Sequence, residues 1–173
     1  SHVGSAVAMW SLCLLALSSI PADEVSAEAP RVTTPSRGGE GECATASDGA
    51  GGLFACWSGQ GGGVQGSLWV QHALGSGKRP WGKHGACLGL TGTGTPAHLS
   101  VVPDGADGAV VFWLDGNPAG GGGAIRTLHV DADGAVAEQD SASVIAKHVA
   151  LRDPLLITAD GLGGALICWV AAT

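Results

Sequence analysis

An all-β fold made of repeated four-stranded antiparallel units is what this sequence predicts, and three observations predict it. A ten-residue pattern of Asp, two glycines and Trp begins at Asp48, Asp104 and Asp160, 56 residues apart each time. A second block, Ser67–Gly77, lines up with Ala124–Gly134 at a spacing of 57. The apolar runs between these landmarks are short and bounded by turn residues, which favours strands over helices. Repetition at a fixed period of tens of residues marks a fold assembled from one supersecondary unit.

The elements follow in order within one unit. Asp48-Gly49, Asp104-Gly105 and Asp160-Gly161 supply the positive backbone angles of a tight hairpin turn, and the glycine that follows leaves room for a bulge. In the best-defined unit the strands fall near 43–47, 53–58, 67–73 and 84–90, and the next unit opens near 98–102. Short turns between neighbouring strands imply antiparallel pairing. The run Ala109–Trp113 is apolar on both faces, as a strand covered by a sheet on each side should be.

Four short strands and a Trp in every unit match a β-propeller blade better than a sandwich. The prediction is a propeller-like array of four-stranded blades over residues 43–173, with Asp48, Trp57, Asp104, Trp113, Asp160 and Trp169 as structural markers. Each marker Trp is expected to be buried. Three units, even with a distorted fourth, fall short of a ring that takes about four to eight blades. The expected ring is therefore incomplete: a piece of a longer chain, an assembly closed by association, or an open array.

The pattern D-G-x-G-G-x-x-x-x-W, followed by a strand like Ser67 to Ala73, resembles the repeats of bacterial secreted or cell-surface β-propeller proteins. The resemblance spans about residues 43–173 and implies a fold and a secreted or cell-surface location, but carries over no catalytic residue. The chain departs from better-known propellers. It has no G-H…W-D pairing, its Asp-to-Trp spacing is too long for an Asp-box, and Asp107 stands where the other copies have Gly.

Residues 1–42 precede the clear repeats and allow two readings. Residues 5–20 form an apolar stretch that suits a secretory leader, with a cleavage site at Val25-Ser26-Ala27, although no Lys or Arg precedes it. The favoured reading is a degenerate first blade, because Gly4–Trp10 resembles Gly51–Trp57 and removal of the Gly-rich insert 58–66 then places Ser11-Leu12 beside Ser67-Leu68. Residues 21–42 then make an irregular connection. The stretch is short for a membrane span.

Composition narrows the function. Eight basic against fifteen acidic residues leave a net charge of −7, with no basic stripe for nucleic acid. Thirty glycines follow no three-residue period, so the chain is no collagen. The absence of Tyr removes a sialidase-type Tyr nucleophile from this segment. Five cysteines without a C-x-x-C lack the spacing of a zinc ribbon, and no cofactor is expected. Cys56 and Cys168 share the position of Phe112, which makes them buried apolar filler, whereas Cys43 and Cys87 leave a disulfide open in a secreted chain.

His72 and His129 are repeat-equivalent and read as structural, Asp131-Ala132-Asp133-Gly134 reads as a hairpin turn rather than a calcium loop, and no metal site is expected. Gly75-Ser76-Gly77-Lys78 lacks both the leading Gly and the Ser or Thr of a phosphate loop.

Binding residues concentrate on long loops carried by a rigid scaffold. The longer connections, 59–66, 91–97, 115–123 and 146–154, share one end of the units and supply the candidates Asp115, Asn117, Arg152 and Asp153. The expected function is a non-catalytic extracellular binding or scaffold module whose ligand is a glycan or a protein. The alternative is a fragment of a propeller-type carbohydrate-active enzyme, a glycoside hydrolase or lyase, which would need two convergent carboxylates.

Overall fold

The computed structural model describes residues 41–61, 64–89, 96–116, 122–136, 142–149 and 155–170. Contacts divide the chain into Ser1–Pro30 and Arg31–Thr173, and every described residue belongs to the second unit. The predicted first blade or leader, Asn117, Arg152 and Asp153 lie outside the described residues.

The described residues are all-β and contain no helix. Strands β1 (Cys43–Ser47), β2 (Leu53–Gly61), β3 (Val64–Ala73) and β4 (Ala86–Cys87) form one sheet in chain order. A second sheet repeats that order with β5 (Ala97–Pro103), β6 (Ala109–Asp115), β7 (Gly123–Val130) and β8 (Ser143–Val149). A third contains, among the described residues, β9 (Leu156–Ala159) and β10 (Ala165–Cys168). Every pair is antiparallel.

Pairing register follows the sequence period. Ala44 opposes Cys56, Ser100 opposes Phe112 and Leu156 opposes Cys168, each pair 56 residues beyond the last. The hairpins close on Ser47–Leu53, Pro103–Ala109 and Ala159–Ala165. Because the side-chain period of a strand is two, equal registers put equivalent residues on the same face of all three sheets.

The sheets stack in one sense. Phe54, Cys56, Leu68, Val70 and Leu88 of the first sheet pack on Leu99, Val101, Val111, Trp113, Leu128 and Val130 of the second. The opposite face of the second sheet, with Leu114, Ile125 and Val149, packs on Ile157 and Ile167 of the third. The middle sheet is thus covered on both faces, as the apolar run 109–113 requires. First strands meet across the stack, β5 lying beside both β1 and β9. The Glu42 carboxylate adds a polar link by accepting the backbone N–H groups of His98 and Leu99 at the start of β5.

Several expectations are corrected. The Gly-rich stretch 59–66 is mostly strand, since β2 runs to Gly61 and β3 begins at Val64, with a register irregularity between Gly59 and Gly61 that absorbs the extra residues. Residues 146–149 likewise end β8 rather than begin a loop. The fourth strand expected at 84–90 is only Ala86–Cys87. Trp113 is buried, but Trp57 is only half-buried, because no described sheet packs over its side, and Trp169, one residue past the end of β10, is exposed. Cys168 is exposed where Cys56 is buried, because no described sheet covers its face of β10. Cys43 and Cys87 lie on one rung of the first sheet, separated by Trp57 and Trp69 on the two intervening strands. Three strand spacings of about 4.8 Å exceed the Cα separation of roughly 4.4–6.8 Å that a disulfide spans.

Candidate functional site

The repeated motif builds one turn three times. In each copy one carboxylate oxygen, Oδ1, of the leading Asp accepts two backbone N–H groups, two and four residues on: Ala50 and Gly52 for Asp48, Ala106 and Gly108 for Asp104, Leu162 and Gly164 for Asp160. The bonds measure 2.7–2.9 Å. The second and fourth turn residues take positive φ, at Gly49 and Gly51, Gly105 and Asp107, and Gly161 and Gly163. The fifth, Gly52, Gly108 or Gly164, is held against the Asp side chain so closely that a Cβ would lie 2.4–2.5 Å from its Oδ2.

In the two complete sheets the other carboxylate oxygen meets a histidine from the third strand. His72 Nε2 lies 3.1 Å from Asp48 Oδ2, and His129 Nε2 lies 2.7 Å from Asp104 Oδ2. Burial works against ionisation of Asp48, but the Ala50 N–H, the His72 bond, the Gly52 N–H and the electrostatic attraction of His72 outweigh it and hold the carboxyl below its ordinary value. Asp104 is lowered against the same opposition, by His129 first and then by the Ala106 and Gly108 N–H groups. At Asp160 the Leu162 and Gly164 N–H groups lower it.

The two histidines differ in surroundings. The His72 ring is buried, stacked on Phe54 at a centroid distance of 4.2 Å with Trp81 at 5.7 Å, and is closed to a substrate. His129 is half-exposed. Trp81, from the segment between β3 and β4, also donates Nε1–H to the Ala132 carbonyl at 2.9 Å, fastening the first sheet to the β7 turn of the second. That turn is a hairpin, its Asp131 Oδ1 accepting the N–H groups of Asp133 and Ala135.

At the other end of the second sheet, Asp115 is engaged rather than open, its Oδ2 accepting Arg126 Nε–H at 2.7 Å across the β6–β7 pair. Asp115 thus stands at the end of β6, and the other three candidates, Asn117, Arg152 and Asp153, lie outside the described residues. The aspartate–histidine pairs went unpredicted, although their signal was present: both histidines recur in register, 24 and 25 residues after their Asp. Glu42 and Trp81 have no such signal, because each acts between sheets.

Burial pushes the Cys56 thiol up to about 12, which leaves it inert. Among the described residues, no group of three or more His, Cys, Asp or Glu side chains is placed to hold a metal ion, and no helix is long and apolar enough to cross a membrane. Compared with protein-family models, curated proteins and solved structures, the chain finds no match in any of the three.

Proposed function

We propose that this chain is a run of β-propeller-type blades that serves as a non-catalytic binding or scaffold module outside the cell. One observation carries the reading: a four-stranded sheet covered on both faces by sheets of the same pairing register, with the first strands of all three side by side. Such stacking produces a rigid frame with its loops at two ends.

Six carboxylates among the described residues support a structural rather than a catalytic use. Asp48, Asp104, Asp131 and Asp160 accept N–H groups of their own turns, Asp115 pairs with Arg126, and Glu42 caps the start of β5. A general acid needs a proton near neutral pH, whereas three of these carboxyls are held below the ordinary aspartate value. The extracellular placement rests on the resemblance to secreted propeller repeats.

The test takes the full chain through a panel of immobilised polysaccharides and extracellular proteins, alongside chromogenic glycosides and a lyase assay. Saturable binding without turnover is the expected result. Hydrolysis or elimination that persists through purification would overturn the reading in favour of a carbohydrate-active enzyme.

A further inference from the structure

The third sheet has the turn and register of the first two, but among the described residues only two of their strands. Its inward residues Ile157 and Ile167 pack on the second sheet, while Leu156 and Leu166 on the outward face are each 65% exposed. The second edge of β10 corresponds to the edges of β2 and β6 that pair with β3 and β7.

Equal registers say what belongs there. In the first sheet His72 pairs with Phe54 and reaches Asp48; in the second, His129 pairs with Val110 and reaches Asp104. Leu166 is the residue of β10 that occupies the place of Phe54 and Val110, and Asp160 occupies the place of Asp48 and Asp104. The Asp160 turn is already formed, with Oδ1 holding both N–H groups, and no histidine is bonded to its Oδ2 among the described residues.

We propose that the edge of β10 left unpaired among the described residues is an acceptor for an antiparallel β-strand carrying a histidine opposite Leu166, whose imidazole completes the Asp160 turn. The occupant is a segment of the β7 type, with apolar residues at alternate positions on the face of Ile167, as Leu128 and Val130 lie in β7, and the histidine on the face of Leu166. Backbone hydrogen bonds along the edge supply affinity, and the carboxylate selects the register. Charge complementarity and the occupancy of the same slot in both sister sheets distinguish this partner from a generic apolar one. The proposal rests on the equivalence of the sheets within the blade reading and is independent of any ligand at the loop end.

The test uses the full chain and a synthetic peptide of residues 123–130, Gly-Ala-Ile-Arg-Thr-Leu-His-Val, with hydrogen exchange as the structural readout. Saturable binding with new amide protection at residues 165–168 is expected. A peptide with His129→Ala should bind roughly tenfold more weakly or worse, as loss of a charge-assisted bond implies. Asp160→Asn keeps the Oδ1 acceptor of the turn while removing the charge from the other position. It should weaken the parent peptide by a similar factor and leave the alanine peptide unaffected.

Equal binding of both peptides to the parent chain would overturn the proposal, and so would protection elsewhere or β10-to-β10 self-association that the peptide does not compete. The peptide comparison on unaltered protein stands even if Asp160→Asn perturbs folding. A negative glycan and protein panel with a positive peptide result would reject the loop-end ligand alone, and the converse would reject the strand acceptor alone.

Discussion

At the scale of the residue, each position of the repeated turn answers to a separate constraint. Asp accepts two N–H groups, the second and fourth residues take the left-handed region, and the fifth has no space for a Cβ. Asp107, at φ +65°, is the exception to glycine in the fourth place. A left-handed non-glycine residue costs about 1–2 kcal/mol, less for Asp, and glycine gives some of that back through the entropy of the unfolded chain. Asp107→Gly should therefore stabilise the protein by up to about 1 kcal/mol, a rise of roughly 2–4 °C in Tm by calorimetry. Gly108→Ala should act oppositely, because its Cβ would meet Asp104 Oδ2 at 2.4 Å and the Val130 carbonyl at 2.5 Å. A loss of about 1–3 kcal/mol in urea unfolding is expected, as for overpacking elsewhere.

At the scale of the element, the turns confer a pH dependence on the hairpins they close. Asp48, Asp104 and Asp160 are held below their ordinary value when folded, so the unfolded chain binds more protons between the two values. The stability they contribute is complete above about pH 4, the ordinary aspartate value, and is lost as pH falls through the folded values. Urea midpoints measured from pH 6 to pH 2 should fall less steeply for a chain with both Asp48→Asn and Asp104→Asn than for the parent. The marker tryptophans separate by sheet. Trp113 is 1% exposed in the stack, so Trp113→Ala should cost about 3–5 kcal/mol. Its indole Nε1 is buried and bonds to nothing among the described residues, so Trp113→Phe should cost distinctly less. Trp169→Ala, on the exposed sheet, should move the midpoint little.

At the scale of the whole molecule, stability depends on how well each sheet is covered. Trp81 covers His72 and Phe54 within the first sheet and bonds to Ala132 in the second. Trp81→Ala should cost about 3–5 kcal/mol and loosen both the β3–β4 segment and the 131–134 turn, visible as faster amide exchange at the two places together. If only the β3–β4 segment loosened, the Trp81–Ala132 bridge would not couple the sheets.

The strand hairpins, their common register and the turn in each were legible in the residues alone. These features depend on local backbone geometry and on alternation, both written in short stretches such as 48–57, and repetition made them readable three times over. The sequence also carried the two-sided burial of Ala109–Trp113 and the turn character of Asp131–Gly134. Tertiary structure alone decided which of three equivalent residues is buried. Trp57, Trp113 and Trp169 occupy one motif position, and Cys56 and Cys168 share another, yet their exposures differ: Trp113 and Cys56 face a neighbouring sheet, Trp57 and Cys168 lie on faces that no described sheet covers, and Trp169 follows the end of β10. The links made by Glu42 and Trp81 join residues distant in the chain. No local pattern encodes such contacts, because they depend on the separation between strands and sheets that packing sets.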